Sequence, residues 1–257
     1  MTGSGWVVIK LGGAALPHRD AVLDDLRRVH AGGVRTVLVH GGGAVLTDWL
    51  ARIGKEAVFV DGLRQTDAET LEVAVMALAG KVNKELVALL QSAGTPAVGL
   101  CGIDGGLLRA RRQTQPDLGF VGIVEHVDPR PLELLAEAGY VPVVAPIALG
   151  PDGPLNVNAD TVAGDVARRL GAATLLFLTD VPGVKDRAGT VLPALDRARA
   201  DALKREGVIT GGMIPKVDAC LRVLDRVARA SILDGGRPHA ISEHLLEGHT
   251  FGTVFSA

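Results

Sequence analysis

Aromatic side chains are scarce in this 257-residue chain, which has five Phe, two Trp and one Tyr. So few rings exclude the stacking surfaces used by RNA-binding modules and antibody-like paratopes. Cysteine is nearly absent as well. Cys101 and Cys220 have no CxxC partner and no His at metal-ligand spacing, so they read as small core hydrophobes. His239, His244 and His249 recur in steps of five, which does not gather them on one helix face, and no zinc site is expected. Neither sign of charge is in excess. With 27 Lys plus Arg against 29 Asp plus Glu, the chain lacks the basic footprint that nucleic acids or anionic membranes require. No uncharged apolar run reaches the roughly 18 residues of a membrane span, and Met1–Gly5 is too short and polar for a secretory signal. A cytoplasmic protein is expected. The common nucleotide motifs are missing too, with neither G-x-x-x-x-G-K-[ST] nor G-x-G-x-x-G present. His18-Arg19-Asp20 imitates a protein-kinase catalytic loop, but no Asn follows at the required offset and no D-F-G comes later.

What remains is an apolar, glycine-rich chain. Hydrophobic residues make up 47% and charged residues 22%, too apolar and too evenly charged for disorder. The 33 glycines are nearly twice the average usage of about 7% and point to tight backbone turns. Strand patterns at Trp6–Lys10, Val34–His40, Pro96–Leu100, Val141–Ala145, Thr174–Leu178 and Ser231–Leu233 alternate with helical ones. The helical patterns lie at His18–Ala31, Ala44–Ile53, Leu132–Ala138, Thr161–Leu170, Pro215–Ala228 and Glu243–Leu246. The alternation predicts an open α/β sandwich, a mainly parallel sheet with helices on both faces. Ala57–Val60, Leu107–Arg112 and Phe120–Val127 lack intervening helices and read as hairpin pieces over the sheet edge. Gly and Pro cluster at Leu149–Leu155, which suggests dividing the chain into 1–150 and 151–257.

In such sheets ligands bind beyond the carboxyl ends of the strands. Strand one runs into Lys10-Leu11-Gly12-Gly13-Ala14, and strand two into His40-Gly41-Gly42-Gly43-Ala44. Backbone N–H groups of such loops can approach an anion closely, although paired glycines also simply make tight turns. Lys10 closes an apolar strand, where an ammonium is costly without an anion to meet it. Asn156-Val157-Asn158-Ala159-Asp160 precedes a helix, where Asn and Asp are first of all caps. Thr179-Asp180-Val181-Pro182-Gly183-Val184 follows another apolar strand. Gly207 to Lys216 places a Gly pair, then Pro, then a lysine at a helix start, where the helix dipole repels the lysine unless an anion sits beside it.

The segments VIKLGGAA, VHGGGAVL, GLRQTD, NVNADTVAG, LTDVPGV and GVITGGMIPKVDACL resemble the amino acid kinase superfamily, and within it the N-acetylglutamate kinases of arginine biosynthesis. The likeness runs from about Val7 to Val254. It implies a three-layer α/β/α sandwich whose N-terminal lobe binds the amino-acid substrate and forms the dimer, and whose C-terminal lobe binds ATP. It implies transfer of the γ-phosphoryl of MgATP to the γ-carboxylate of N-acetyl-L-glutamate. By motif, Lys10 matches the lysine that stabilises the transferring phosphoryl, Lys216 matches the one at the ATP side, and Asp160 matches the aspartate that holds the two in place. Gly12, Gly13 and Gly41 to Gly43 match the cradle for phosphoryl and carboxylate oxygens. Arg64 and Asn156 match substrate contacts, and a guanidinium suits a carboxylate's two oxygens. Asp180, Val181, Pro182, Gly183, Val184 and Lys185, with Val208, Ile209 and Thr210, match nucleotide contacts. Mg²⁺ is expected mainly on ATP oxygens. Leu71–Ala79, apolar nearly all round, fits core burial or the family's dimer helix.

Two positions depart from the pattern: Gln65 where Val is common, and Ile103 where a Lys-type residue is frequent. Arginine-inhibited members carry an extra N-terminal helix that joins dimers into a hexamer. Here strand one begins about five residues after Met1, so a homodimer without arginine feedback is expected. Two other readings stay open: a sister kinase acting on carrier-bound aminoadipate or carbamate, and a non-catalytic nucleotide-binding regulator.

Overall fold

The computed structural model describes residues 5–12, 19–60 and 62–256. Gly13, expected in the first glycine loop, and His18, from the kinase-loop lookalike, lie outside the described residues. The first half of the chain gives β1 (Val7–Leu11), α1 (Arg19–Ala31), β2 (Thr36–His40), α2 (Gly43–Arg52), the short strands β3 (Phe59–Val60) and β4 (Leu63–Arg64), then α3 (Ala68–Ala74). A π-helical stretch, Val75–Val82, joins α3 to α4 (Asn83–Ser92), and β5 (Ala97–Cys101), β6 (Leu108–Thr114), β7 (Asp117–Val127) and α5 (Arg130–Glu137) follow. Next come β8 (Val141–Ala145), β9 (Ile147–Gly150), β10 (Gly153–Asn156), α6 (Ala159–Leu170), β11 (Thr174–Thr179), β12 (Ala194–Leu195) and α7 (Arg197–Arg205). The chain ends with α8 (Met213–Val223), β13 (Arg229–Asp234), the single turn α9 (Ala240–Ser242) and β14 (Thr253–Phe255).

The main sheet has eight strands in the order β12-β14-β13-β11-β1-β2-β8-β5. From β13 to β5 all neighbours run parallel, and β14 reverses against β13. β1, β2 and β8 are buried along their whole length, because helices cover both faces and leave no side of the pleat for polar residues. Alternate residues divide between two cores. Val8, Val37, Val39, Leu175 and Phe177 pack with Val162, Val166 and Cys220 of α6 and α8. Val7, Ile9, Leu38, Leu176 and Leu178 pack with Val22, Leu26, Leu86 and Leu90 of α1 and α4. The three-layer α/β/α sandwich is thus present, with both cysteines buried and unpaired.

One expectation changes. Of the pieces read as sheet-edge hairpins, Ala57–Val60 supplies β3, which pairs with β4, whereas Leu107–Arg112 and Phe120–Val127 supply β6 and β7, which join β9 and β10 in a closed barrel, β10-β7-β6-β9. The Gly/Pro cluster that suggested a chain division is the turn of the β9–β10 hairpin, in which Gly150 pairs with Gly153. Sequence gives no strand signal there because two prolines and two glycines interrupt it. The main sheet meanwhile takes β1, β2, β5 and β8 from before this turn and β11 to β14 from after it. Connections diverge at β1, since β2 lies on one side and β11 on the other, which opens a crevice at the carboxyl ends of these strands.

Candidate active site

Lys10 stands at that crevice, paired in register with Val39 of β2 and Phe177 of β11. Its ammonium is buried, 2.8 Å from Oδ1 of Asp160. Lys216, from the first turns of α8, donates to the other carboxylate oxygen, Oδ2, at 3.0 Å and to the Gly212 carbonyl at 3.2 Å. One carboxylate therefore bridges two lysines that are 206 positions apart in sequence. Asp160 is free for this role because Asn158 does the capping: its Oδ1 accepts from the N–H groups of Asp160 at 2.9 Å and Thr161 at 3.1 Å. Burial pushes the Asp160 carboxyl up, but the charges of Lys10 and Lys216 outweigh it and hold the group below the usual carboxylate value.

Glycines pave the approach. A Cβ at Gly12 would lie 2.8 Å from the Leu178 carbonyl oxygen, and one at Gly42 would lie 2.6 Å from Leu78 Cδ2. Gly42 also adopts φ +150°, a backbone conformation that side chains disfavour. The N–H of Gly12 donates to Leu178 and that of Gly41 to Leu11, both at 3.1 Å. Those two amides continue the sheet ladder, which corrects the expectation that they reach an anion. Among the described loop residues, Gly42 and Gly43 are left for that purpose.

Arg64 reaches the same cavity from β4. Its Nη2 donates to the Gly43 carbonyl at 3.0 Å and to Thr47 Oγ1 at 2.8 Å, and its guanidinium lies 4.5 Å from the Phe59 ring centroid. Its Nη1 is buried with no partner, and burial lowers the pKa of the group. Asn156 closes β10 and donates to Thr66 Oγ1 at 3.2 Å. Lys10, Gly41 to Gly43, Arg64, Asn156 and Asp160 thus line one cavity of about 170 Å³. Lys10, Lys216 and Arg64 against Asp160 leave an excess of two positive charges. That excess and the orphaned Nη1 suit an anionic ligand bearing phosphoryl and carboxylate groups.

A second cavity, about 180 Å³, collects Val181, Gly183, Val184, Lys185, Val208, Ile209 and Thr210 from the two segments expected together. Asp180 and Pro182 do not line it, and Asp180 accepts from the hydroxyl of its neighbour Thr179 at 3.0 Å. Phe59 and Leu78 also line the main cavity, although an exposed Phe and a helical Leu carry no chemical signature of a site in the sequence. The two departures, Gln65 and Ile103, stay out of the main cavity's lining. Gln65 is exposed, and Ile103 packs against the core formed by Leu46, Leu50 and Ile147.

A mainly parallel α/β sheet carrying two carboxylate-bridged lysines beside glycine turns has the form of an anion site suited to phosphoryl transfer, the chemistry of a kinase. Comparison with known proteins narrows the class. The chain belongs to the amino acid kinase family, whose model matches residues 5–234. It is 47% identical over 256 residues to the acetylglutamate kinase of a Synechococcus species, covering 96% of this chain and 82% of that one. It is 45% identical over 268 residues to the acetylglutamate kinase of Acidiphilium cryptum, covering 98% and 90%. A crystal structure of a Streptococcus mutans protein superposes with a TM-score of 0.85 at 28% identity, covering 98% of both chains.

Proposed function

We propose that the chain transfers the γ-phosphoryl group of ATP to the side-chain carboxylate of N-acetyl-L-glutamate, a step of arginine biosynthesis. The bridging of Lys10 and Lys216 by Asp160 carries this reading, together with the likeness to acetylglutamate kinases over nearly the whole chain. A carboxylate oxygen attacking a polyphosphate brings two anions together, and the transition state spreads charge over the transferred oxygens. A buried ammonium, Lys10, and a half-buried one, Lys216, held on one carboxylate lower that cost. A new P–O bond to the carboxylate forms as the bond to ADP breaks, with in-line transfer and no proton to remove from an acceptor that is already ionised. Asp160 therefore serves as the organiser that keeps both lysines aimed, rather than as a base.

The first cavity is assigned to the amino acid, with Arg64 on its α-carboxylate and Asn156 beside it. The second is assigned to the nucleotide, so that 1–150 forms the acceptor lobe and 151–257 the ATP lobe. Mg²⁺ would arrive on ATP, held mostly by phosphate oxygens and water, and would neutralise phosphate charge. Trp49 on α2, Ile53 directly after it and Met76 on the adjoining π-helical stretch are exposed large apolar side chains. This face is assigned to a homodimer, and sedimentation of Met76→Glu as a monomer is the check. Among the described residues no helix is long and apolar enough to cross a membrane, in keeping with a cytoplasmic enzyme.

Hydroxylamine trapping with coupled ADP release tests the reaction. An acyl hydroxamate formed only with ATP and N-acetyl-L-glutamate is expected. ATP binding with no turnover of that acceptor would overturn the reading.

A further inference from the structure

His40 ends β2 directly before the three glycines and is buried, yet phosphoryl transfer as described gives it no task. Its Nδ1 lies 2.6 Å from the carbonyl oxygen of Gly41, and its Nε2 lies 3.1 Å from Asn83 Nδ2. The surroundings of Asn83 decide which atoms carry protons. Lys84 Nζ, a donor only, meets Asn83 Oδ1 at 3.0 Å. The Val143 carbonyl, an acceptor only, meets Asn83 Nδ2 at 2.9 Å. The amide orientation is thereby fixed, so Nδ2 must donate to His40 Nε2. His40 then holds its single proton on Nδ1 and donates it to Gly41. Burial, supported by the nearby charges of Lys10 and Lys84 and opposed by the Gly41 contact, holds this imidazole neutral with a pKa of about 4.

The Gly41–Gly42 peptide is trans, since the only cis bond among the described residues is Gln115–Pro116. In a trans peptide C=O and N–H point in opposite directions. A Gly41 carbonyl drawn inward to His40 therefore turns the Gly42 N–H outward, on the side where Gly41, Gly42 and Gly43 line the cavity. The π-helical stretch that leads into Asn83 also comes close to Gly42 through Leu78, which lines the cavity beside it. π-Helical insertions recur at functional sites because the extra residue re-aims side chains.

We infer that His40 and Asn83 are positioning residues: the hydrogen-bond relay from Asn83 through His40 to the Gly41 carbonyl sets the peptide that presents the Gly42 N–H to the reacting anion. This rests on the phosphoryl-transfer reading of the cavity, and it adds a directional proton arrangement that the reading does not require.

The test has two parts. In the unaltered full-length protein, ¹⁵N-histidine NMR at pH 7 should show His40 as the Nδ1–H tautomer. An Nε2–H tautomer or an imidazolium would overturn the relay, whatever the variants do. Among variants, His40→Leu removes the donor, whereas His40→Asn places an amide N–H₂ near the position of Nδ1. His40→Leu should lower kcat by at least about ten-fold, small against the roughly 100-fold that a 1 Å misplacement can cost. Its KM values should change less than about three-fold, and the Gly42 and Gly43 amide resonances should shift. His40→Asn should restore both kcat and the resonances. A folded His40→Leu enzyme with kcat within two-fold of the parent, or loss in both variants alike, would leave His40 a packing residue only. Absence of turnover in the unaltered chain would sink the reaction assignment while leaving the tautomer and amide shifts to stand or fall alone.

Discussion

Asp160 touches both ammoniums, and removing its charge separates stability from chemistry. Asp160→Asn leaves the buried Lys10 and the half-buried Lys216 without their shared counter-charge, and breaking a buried ion pair such as Lys10–Asp160 by removing one partner costs about 3–5 kcal/mol. Urea denaturation should show a loss of that order, reduced when an ATP analogue replaces the missing negative charge. The lysines are expected to act on the transition state. Lys216→Ala should lower kcat by roughly 100–1,000-fold and weaken N-acetyl-L-glutamate binding far less. Arg64→Ala should do the reverse, raising KM for the acceptor while leaving ATP affinity little changed. Steady-state kinetics with both substrates varied checks the pair, and equal losses in kcat and acceptor binding for Lys216→Ala would show the role to be wrong. At this scale the sequence motifs already marked Lys10, Asp160, Lys216 and Arg64. They marked Asn156 to Asp160 as caps without telling which residue caps, a local choice that falls to Asn158 and frees Asp160, and they did not reveal that His40 is wired to Asn83, which depends on side-chain directions across distant segments.

At the scale of elements, the glycine loops divide into two kinds. Gly42 combines φ +150° with a Cβ position 2.6 Å from Leu78, whereas Gly33 has φ +74° with nothing within 4 Å. Gly33→Ala should therefore cost only backbone strain, about 1–2 kcal/mol, and leave kcat unchanged. Gly42→Ala should lose activity and stability together, since Leu78 and the loop must both move. Thermal melts and kcat of the two variants distinguish strain from obstruction. The central strands were readable because burial on both faces makes them nearly continuous apolar runs. The barrel was not, since β9 and β10 are short and interrupted by Gly and Pro. The π-helical stretch was invisible as well, because one inserted residue barely alters an apolar pattern.

Over the whole molecule, the buried histidines link stability to pH. His40 and His244 are pushed down from 6.5 to about 4, in both cases chiefly by burial. Between these values the unfolded chain binds more protons than the folded one, so stability rises with pH from about 4 to 6.5 and is level above that. At pH 5 each histidine should withdraw about 2 kcal/mol relative to pH 7.5. His244→Gln should remove one such step from the difference between urea curves at the two pH values, and an unchanged difference would place the pH dependence elsewhere. At this largest scale the α/β/α layering was legible in the strand–helix alternation. The meeting of positions 10 and 216 was legible only through family likeness, because nothing local to either segment encodes the other.

That meeting is also the feature most open to direct measurement. A crystal structure of the protein with ADP, aluminium fluoride and N-acetyl-L-glutamate should place the fluoride plane within hydrogen-bond distance of both Lys10 Nζ and Lys216 Nζ, in line with the acceptor's side-chain carboxylate. A fluoride complex bound away from either lysine, or an acceptor presenting its other carboxylate, would contradict the assignment.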